Sequence, residues 1–157
     1  MSAVGYTCDT EGAVALSAAT AKTIVGAKAH ANSGLQLKGF TVSFDGVTAS
    51  AVPVFVEVLY ATWATNPPGT ASAATTPRQK YGRVLTAGFT SGKTWTTEPT
   101  ALTPVFPGFN LAPDKGLFSY QFPLGQEPDS ALAEGFAIRC TAPAAVNVRG
   151  GLDVERV

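Results

Sequence analysis

The end of the chain shows the clearest alternation of apolar and polar positions. Val146, Val148, Leu152 and Val154 share one phase with Gly150, and Asn147, Arg149, Asp153 and Glu155 share the other with Gly151. A period of two predicts a strand with one face buried and one wet. Gly150-Gly151 in its middle predicts a kink or a close backbone approach. The segment from Gly135 to Ala142 alternates in the same way and puts Phe136, Ile138 and Cys140 on its buried face. Pro143-Ala144-Ala145 is short enough to join the two as an antiparallel hairpin.

Between Leu35 and Phe44 the phase changes. Leu35 and Leu37 are apolar at odd positions, whereas Phe40, Val42 and Phe44 are apolar at even ones. A slip of one residue reverses every side chain, so an extra residue must sit between, and Gly39 marks the place for a β-bulge. Asp45-Gly46 then reads as a turn. From Val52 to Tyr60 the even face is apolar throughout, and the odd face carries Phe55 and Leu59 beside Glu57. A strand apolar on both faces needs two covers. The second cover is either a loop of the same chain or another subunit.

Elsewhere the pattern is weaker. Residues 64–78 read as a long polar loop built on Asn66-Pro-Pro-Gly. Residues 86–116 suggest short strands and ordered loops, and Gly116 to Phe122 a further strand. Pro128 to Glu134 suggests one helical turn capped by Asp129. Sixteen glycines and eleven prolines are spread along the chain, and no long-period repeat or heptad is present. Many short strands without a βαβ rhythm predict an all-β fold, an antiparallel β-sandwich of jelly-roll-like type. Residues 13–157 would form that single domain. Residues 1–12, small and polar without alternation, would form a flexible N-terminal arm.

Composition narrows the partners. Eleven basic and eleven acidic residues give a formal net charge of zero over 157 residues. Nucleic acid calls for a clustered basic face and an anionic membrane surface for a basic run, so neither is an expected partner. Charged residues make up 14%, against about 25% in ordinary domains. That low charge fits either a self-associating surface or a neutral one rich in Ala and Thr. No apolar stretch approaches the roughly 20 residues of a membrane-spanning helix. The first residues show no basic segment followed by an apolar one, so synthesis in a cytoplasm is expected. Cys8 and Cys140 would there be free thiols, although a bridge between them stays open.

The search for chemistry leads away from catalysis. A nucleophile needs a base beside it, and the only histidine, His30, lies in Lys28-Ala-His-Ala-Asn32, a strand-edge or loop context. Cys140 alternates with Phe136 and Ile138 and reads as a small buried hydrophobe. Cys8 falls in the expected arm with nothing near it to lower its pKa. Asp153 and Glu155 share a strand face, but two carboxylates alone make at most a weak calcium contact. No catalytic residue, metal or cofactor is therefore expected. The aromatics are the remaining candidates. Trp63, Trp95, Phe106 and Phe109 fall in or beside loops and could fill the core or serve as contact anchors. Together with Phe55 and Leu59 they are the candidate interface residues.

Three segments carry a resemblance. They are Thr41-Val-Ser-Phe-Asp-Gly-Val-Thr-Ala-Ser-Ala-Val-Pro-Val54, Tyr60-Ala-Thr-Trp-Ala-Thr-Asn-Pro-Pro-Gly-Thr70 and Glu134-Gly-Phe-Ala-Ile-Arg-Cys-Thr-Ala-Pro-Ala-Ala-Val-Asn-Val-Arg149. In this order they resemble small virion structural proteins of tailed phages that infect actinobacteria. The resemblance runs from about Thr20 to the end. It implies a non-enzymatic capsid decoration protein on the head surface that binds and stabilises the major capsid shell. Its implied partners are the major capsid protein and further copies of itself, three by the resemblance. Its implied place is the virion, after assembly in the host cytoplasm. The alternative is a carbohydrate-binding β-sandwich on a tail fibre or baseplate, with Trp63 or Trp95 lining a sugar groove.

Overall fold

A computed structural model describes residues 3–45 and 52–157. It contains thirteen strands: β1 (Gly5–Asp9), β2 (Val14–Leu16), β3 (Ala21–Lys28), β4 (Leu35–Phe44), β5 (Val54–Ala61), β6 (Ala73–Thr75), β7 (Arg78–Tyr81), β8 (Thr90–Lys93), β9 (Leu102–Pro104), β10 (Phe109–Leu111), β11 (Phe118–Gln121), β12 (Gly135–Thr141) and β13 (Val146–Arg156). One 3-10 turn, Pro113–Lys115, is the only helical element among the described residues. The strands form two antiparallel sheets packed face to face, the β-sandwich that the alternation predicts. The first sheet runs β11-β4-β13-β1-β7, with β2 also on β13. The second runs β10-β5-β12-β3-β8-β6, with β9 on β5.

The pairing nests the two halves of the chain. β1 pairs with β13, β3 with β12, β4 with β11 and β5 with β10. Taken in order, the four strands of each half in these pairs alternate between the two sheets, so a long antiparallel ribbon is wrapped around one core.

The sequence pattern explains the two central strands. In β13 the residues Val146, Val148, Leu152 and Val154 are buried as predicted. Gly150 lets the opposite sheet come close, since a Cβ there would lie 2.7 Å from Ile24 Cδ1. In β4 the phase break is a bulge. Asp153 of β13 faces Gly39 and Val154 faces Leu37, so Lys38 is the additional residue. Leu35, Leu37, Phe40 and Val42 all point inward as a result. Gly39 also fits a tight spot, because a Cβ there would lie 2.6 Å from the Tyr120 carbonyl. The Asp45-Gly46 turn extends beyond the described residues.

Four expectations are overturned. The segments 135–142 and 146–154 are strands but not a hairpin. β12 is paired on both sides within the second sheet, by β3 and β5, and β13 on both sides within the first. The short Pro143-Ala144-Ala145 link therefore crosses from sheet to sheet. The expected flexible arm, residues 1–12, contains a strand of the first sheet. Gly5–Asp9 is inserted between β13 and β7, with Tyr6 and Cys8 buried. A five-residue strand with only two inward side chains is too short for alternation to reveal. Pro128 to Glu134 forms no helical turn: Asp129 bridges Gln36, and Ser130 Oγ accepts the Leu35 N–H at 2.9 Å. The 64–78 loop contains the short strand β6, which pairs with β8.

The N-terminal strand generates a test. Deleting residues 1–12 removes β1 and strips the β13 edge of its partner. The truncated chain is expected to lose cooperative thermal unfolding, read by far-UV circular dichroism. A melting temperature within a degree or two of the full chain would show that β1 is dispensable.

Candidate functional site

The two tryptophans close the outer face of the second sheet. Trp63 and Trp95 stack at 5.6 Å between ring centroids with 17° between planes. They are 4% and 1% exposed. Both indole N–H groups donate to backbone carbonyls, Trp63 to Ala27 at 3.1 Å and Trp95 to Asn66 at 2.8 Å. The sheet below is made of small residues to receive them. Ala61 and Ala137 lie under the pair, and a Cβ on Gly26 would sit 2.6 Å from Trp63 Cη2. Leu59, on the same face of β5, is 1% exposed. The second cover of β5 is thus supplied here by its own chain. Leu59, Trp63 and Trp95 are core residues, and the expectation that they anchor a partner is corrected.

Phe106 and Phe109 occupy a different place. With Phe118, Tyr120 and Phe122 they surround Phe40, whose ring centroid lies 5.1 Å from Phe106 and 6.2 Å from Phe109. Phe106 meets Tyr120 at 4.7 Å, and Phe109 meets Phe118 at 4.6 Å. All five rings around Phe40 are only partly buried. They line an open cleft of about 730 Å³ between the edge strands β10 and β11, completed by Leu111, Pro107, Pro123, Asn110 and Gln126. No charged residue lines it. Phe55 is half-exposed and lies against Gly108 in the wall, where a Cβ would be 2.6 Å from its ring. Of the six interface candidates, Phe106 and Phe109 line the cleft, and Phe55, on the outer face of β5, touches its wall at Gly108. Phe118, Tyr120 and Phe122 belong with them. Their even-numbered alternation was the sequence sign, but alternation does not tell an edge strand from a central one.

The charges gather on the outer face of the first sheet. Asp9 pairs with Arg78, Asp153 with Lys80 at 2.8 Å, and Lys38 with Glu127 at 2.7 Å and Glu155 at 3.7 Å. Tyr81 donates its hydroxyl to Glu155. The Lys38 ammonium holds the Glu127 carboxyl below its ordinary pKa, and that bond raises Lys38 in turn. A polar groove of about 550 Å³ runs over this face across Gly150 and Gly151, walled by Asp9, Glu11, Arg78 and Arg149. Asp153 and Glu155 are thus members of ion pairs. No group of three or more metal-binding side chains occurs among the described residues.

Other reactive groups are built into the fold. Glu57 accepts two bonds from Arg139 across the β5–β12 ladder, at 2.8 and 3.1 Å. Glu98 accepts the Thr23 N–H at 2.7 Å and its hydroxyl at 2.6 Å. This occurs where β3 bulges against β12 and frees that N–H from the ladder. Nothing in the pattern around Glu98 foretold this role. His30 is exposed, and its Nδ1 accepts the Asn32 N–H. Cys8 and Cys140 are free thiols and fully buried. Burial pushes the Cys8 thiol up to about 12 and raises Cys140 as well. Cys8 is thus a core residue and not a reactive tail thiol. Comparisons with protein-family models, with curated proteins and with solved structures found no match for this chain.

Two measurements follow from this geometry. Ellman's reagent is expected to label neither cysteine in the native protein at pH 8 and both in guanidinium, because a thiolate is needed for attack and burial opposes it. Fast labelling of Cys8 without denaturant would contradict its place in the core. Trp95→Ala opens a cavity under the loops and is expected to cost about 3–5 kcal/mol in chemical denaturation. A loss near zero would mean that the indole pair does not hold that face closed.

Proposed function

We propose that this domain is a non-enzymatic virion structural protein, a capsid decoration protein that binds and stabilises the major capsid shell of a tailed phage as a homo-oligomer. The three segments that resemble small phage virion proteins name the class. The nested pairing of β1, β3, β4 and β5 with β13, β12, β11 and β10 in two sheets is compatible with a jelly-roll-like sandwich, a type used in capsid and lectin domains, and so supports the reading.

The observation that carries the reading is the uncharged aromatic cleft left open at one edge of the sandwich. Partly exposed aromatic rings with few polar groups fit a protein contact, where apolar burial contributes about 25 cal/mol per Å². Asp9, Asp153, Glu155 and Glu57 are each engaged by a cation of the fold. The sugar-binding alternative draws on Trp63 and Trp95 as a platform, and both are buried beneath their own loops.

The test is direct. Purified protein mixed with undecorated capsids is expected to co-sediment with them to a saturating ratio and to raise the temperature at which the shells disassemble. Retention on a glycan array, with no capsid binding at any concentration, would replace this reading with the sugar-binding one.

A further inference from the structure

We infer that the free edge of β11 is a self-association surface on which two copies pair strand to strand about a twofold axis through Tyr120. The inference deepens the proposed homo-oligomer by naming its surface.

Among the described residues β11 ends the first sheet, and its one neighbour there is β4. The Phe122 N–H donates to the Lys38 carbonyl at 2.9 Å. In an antiparallel ladder the direction alternates along the strand, so the N–H and C=O groups of Ser119 and Gln121 point away from β4. Their side chains are exposed on the outer face, whereas Phe118 and Tyr120 turn toward the core and the cleft. An edge of this kind is normally guarded by charge. The opposite edge of the same sheet is guarded in that way, since β7 carries Arg78 and Lys80. From Gly116 to Gln126 no residue is charged. Exposed leucines flank the strand instead: Leu117 is 63% exposed and Leu124 is 93% exposed.

A second copy of this chain fits these facts together. For the core faces of two copies to form one continuous surface, a residue must face one of like orientation. Of the registers that meet this, a twofold through Tyr120 pairs both outward-bonding residues of β11, setting Ser119 opposite Gln121 of the other copy. Phe118 meets Phe122, and Leu117 comes beside Pro123 and Leu124. The open hydrogen-bonding groups are paired, both leucines are covered, and no like charges meet. The contact is isologous, the commonest plan for a dimer. It joins the first sheets of the two copies into one and leaves the charged outer face in water.

Ser119→Lys with Gln121→Lys tests the register without touching the core. Light scattering of the unaltered protein is expected to give twice the 16.1 kDa chain mass. The double-lysine variant is expected to run as a monomer with an unchanged melting profile of the monomeric unit. The corresponding double-glutamate variant is expected to do the same. An equimolar mixture of the two variants is expected to recover the dimer mass, because the register sets each lysine against a glutamate. Oligomers of the unaltered chain that survive both substitutions, or a trimer mass, would place the contact elsewhere and overturn the inference. A monomeric unaltered chain would overturn it too. Capsid co-sedimentation of the same samples reads the decoration role separately, since a monomer that still binds shells sinks only the β11 contact.

Discussion

The structure depends on the β13 ladder. This strand pairs along its length with β4 on one side and with β1 and β2 on the other. It therefore ties the end of the chain to its beginning. Every inward side chain of β13 is a Val or Leu except Gly150, and that gap admits Ile24 from the opposite sheet. A larger residue at 150 would push the sheets apart at their centre, where interiors are packed as densely as organic crystals. The bulges at Lys38 and Ile24 both serve this packing. Each turns a strand by one residue so that its apolar side chains return to the core on both sides of the break.

The surfaces around that core are unequal, and the low charge content is the reason they can be told apart. Most of the ion pairs lie on the outer face of the first sheet. Exposed pairs of this sort stabilise little, about 0–1 kcal/mol each, so their main effect is to keep that face in water. The outer face of the second sheet is covered by loops that carry Trp63 and Trp95. There the small residues Gly26, Ala61 and Ala137 are what allow two indoles to lie flat on a sheet. The remaining edge has neither charges nor a cover, and its aromatic rings surround Phe40 without enclosing it. One wet face, one sealed face and one open apolar edge are the three kinds of surface that result.

Among the described residues, several groups with reactive chemistry are held in structural roles. The cysteines have shifted pKa values but no access. His30 has access but stands in a loop with a backbone partner. Glu57 and Glu98 are committed to Arg139 and to the exposed backbone of a bulge.

Period-two alternation determined much of the fold before any tertiary contact was considered. It located β4, β5, β12 and β13, the inward residues of each, and the phase break beside Gly39, because an amphipathic strand writes its buried face at every second position. Dispersed Gly and Pro likewise marked short strands punctuated by turns. Tertiary structure alone decided which strands are neighbours. Pro143-Ala144-Ala145 is as short as a hairpin loop, yet β12 and β13 lie in different sheets, since partners far away in sequence satisfy both of their edges. The same holds for Gly5–Asp9, whose five residues become a strand only because β13 and β7 flank them. It holds also for the aromatics. A Trp in a loop and a Phe in a loop look alike in sequence, but Trp95 has glycine and alanine beneath it and is sealed, while Phe106 faces an unpaired edge and stays open. Local pattern reports which side of a strand is apolar. What lies against that side is set by contacts that no local pattern contains.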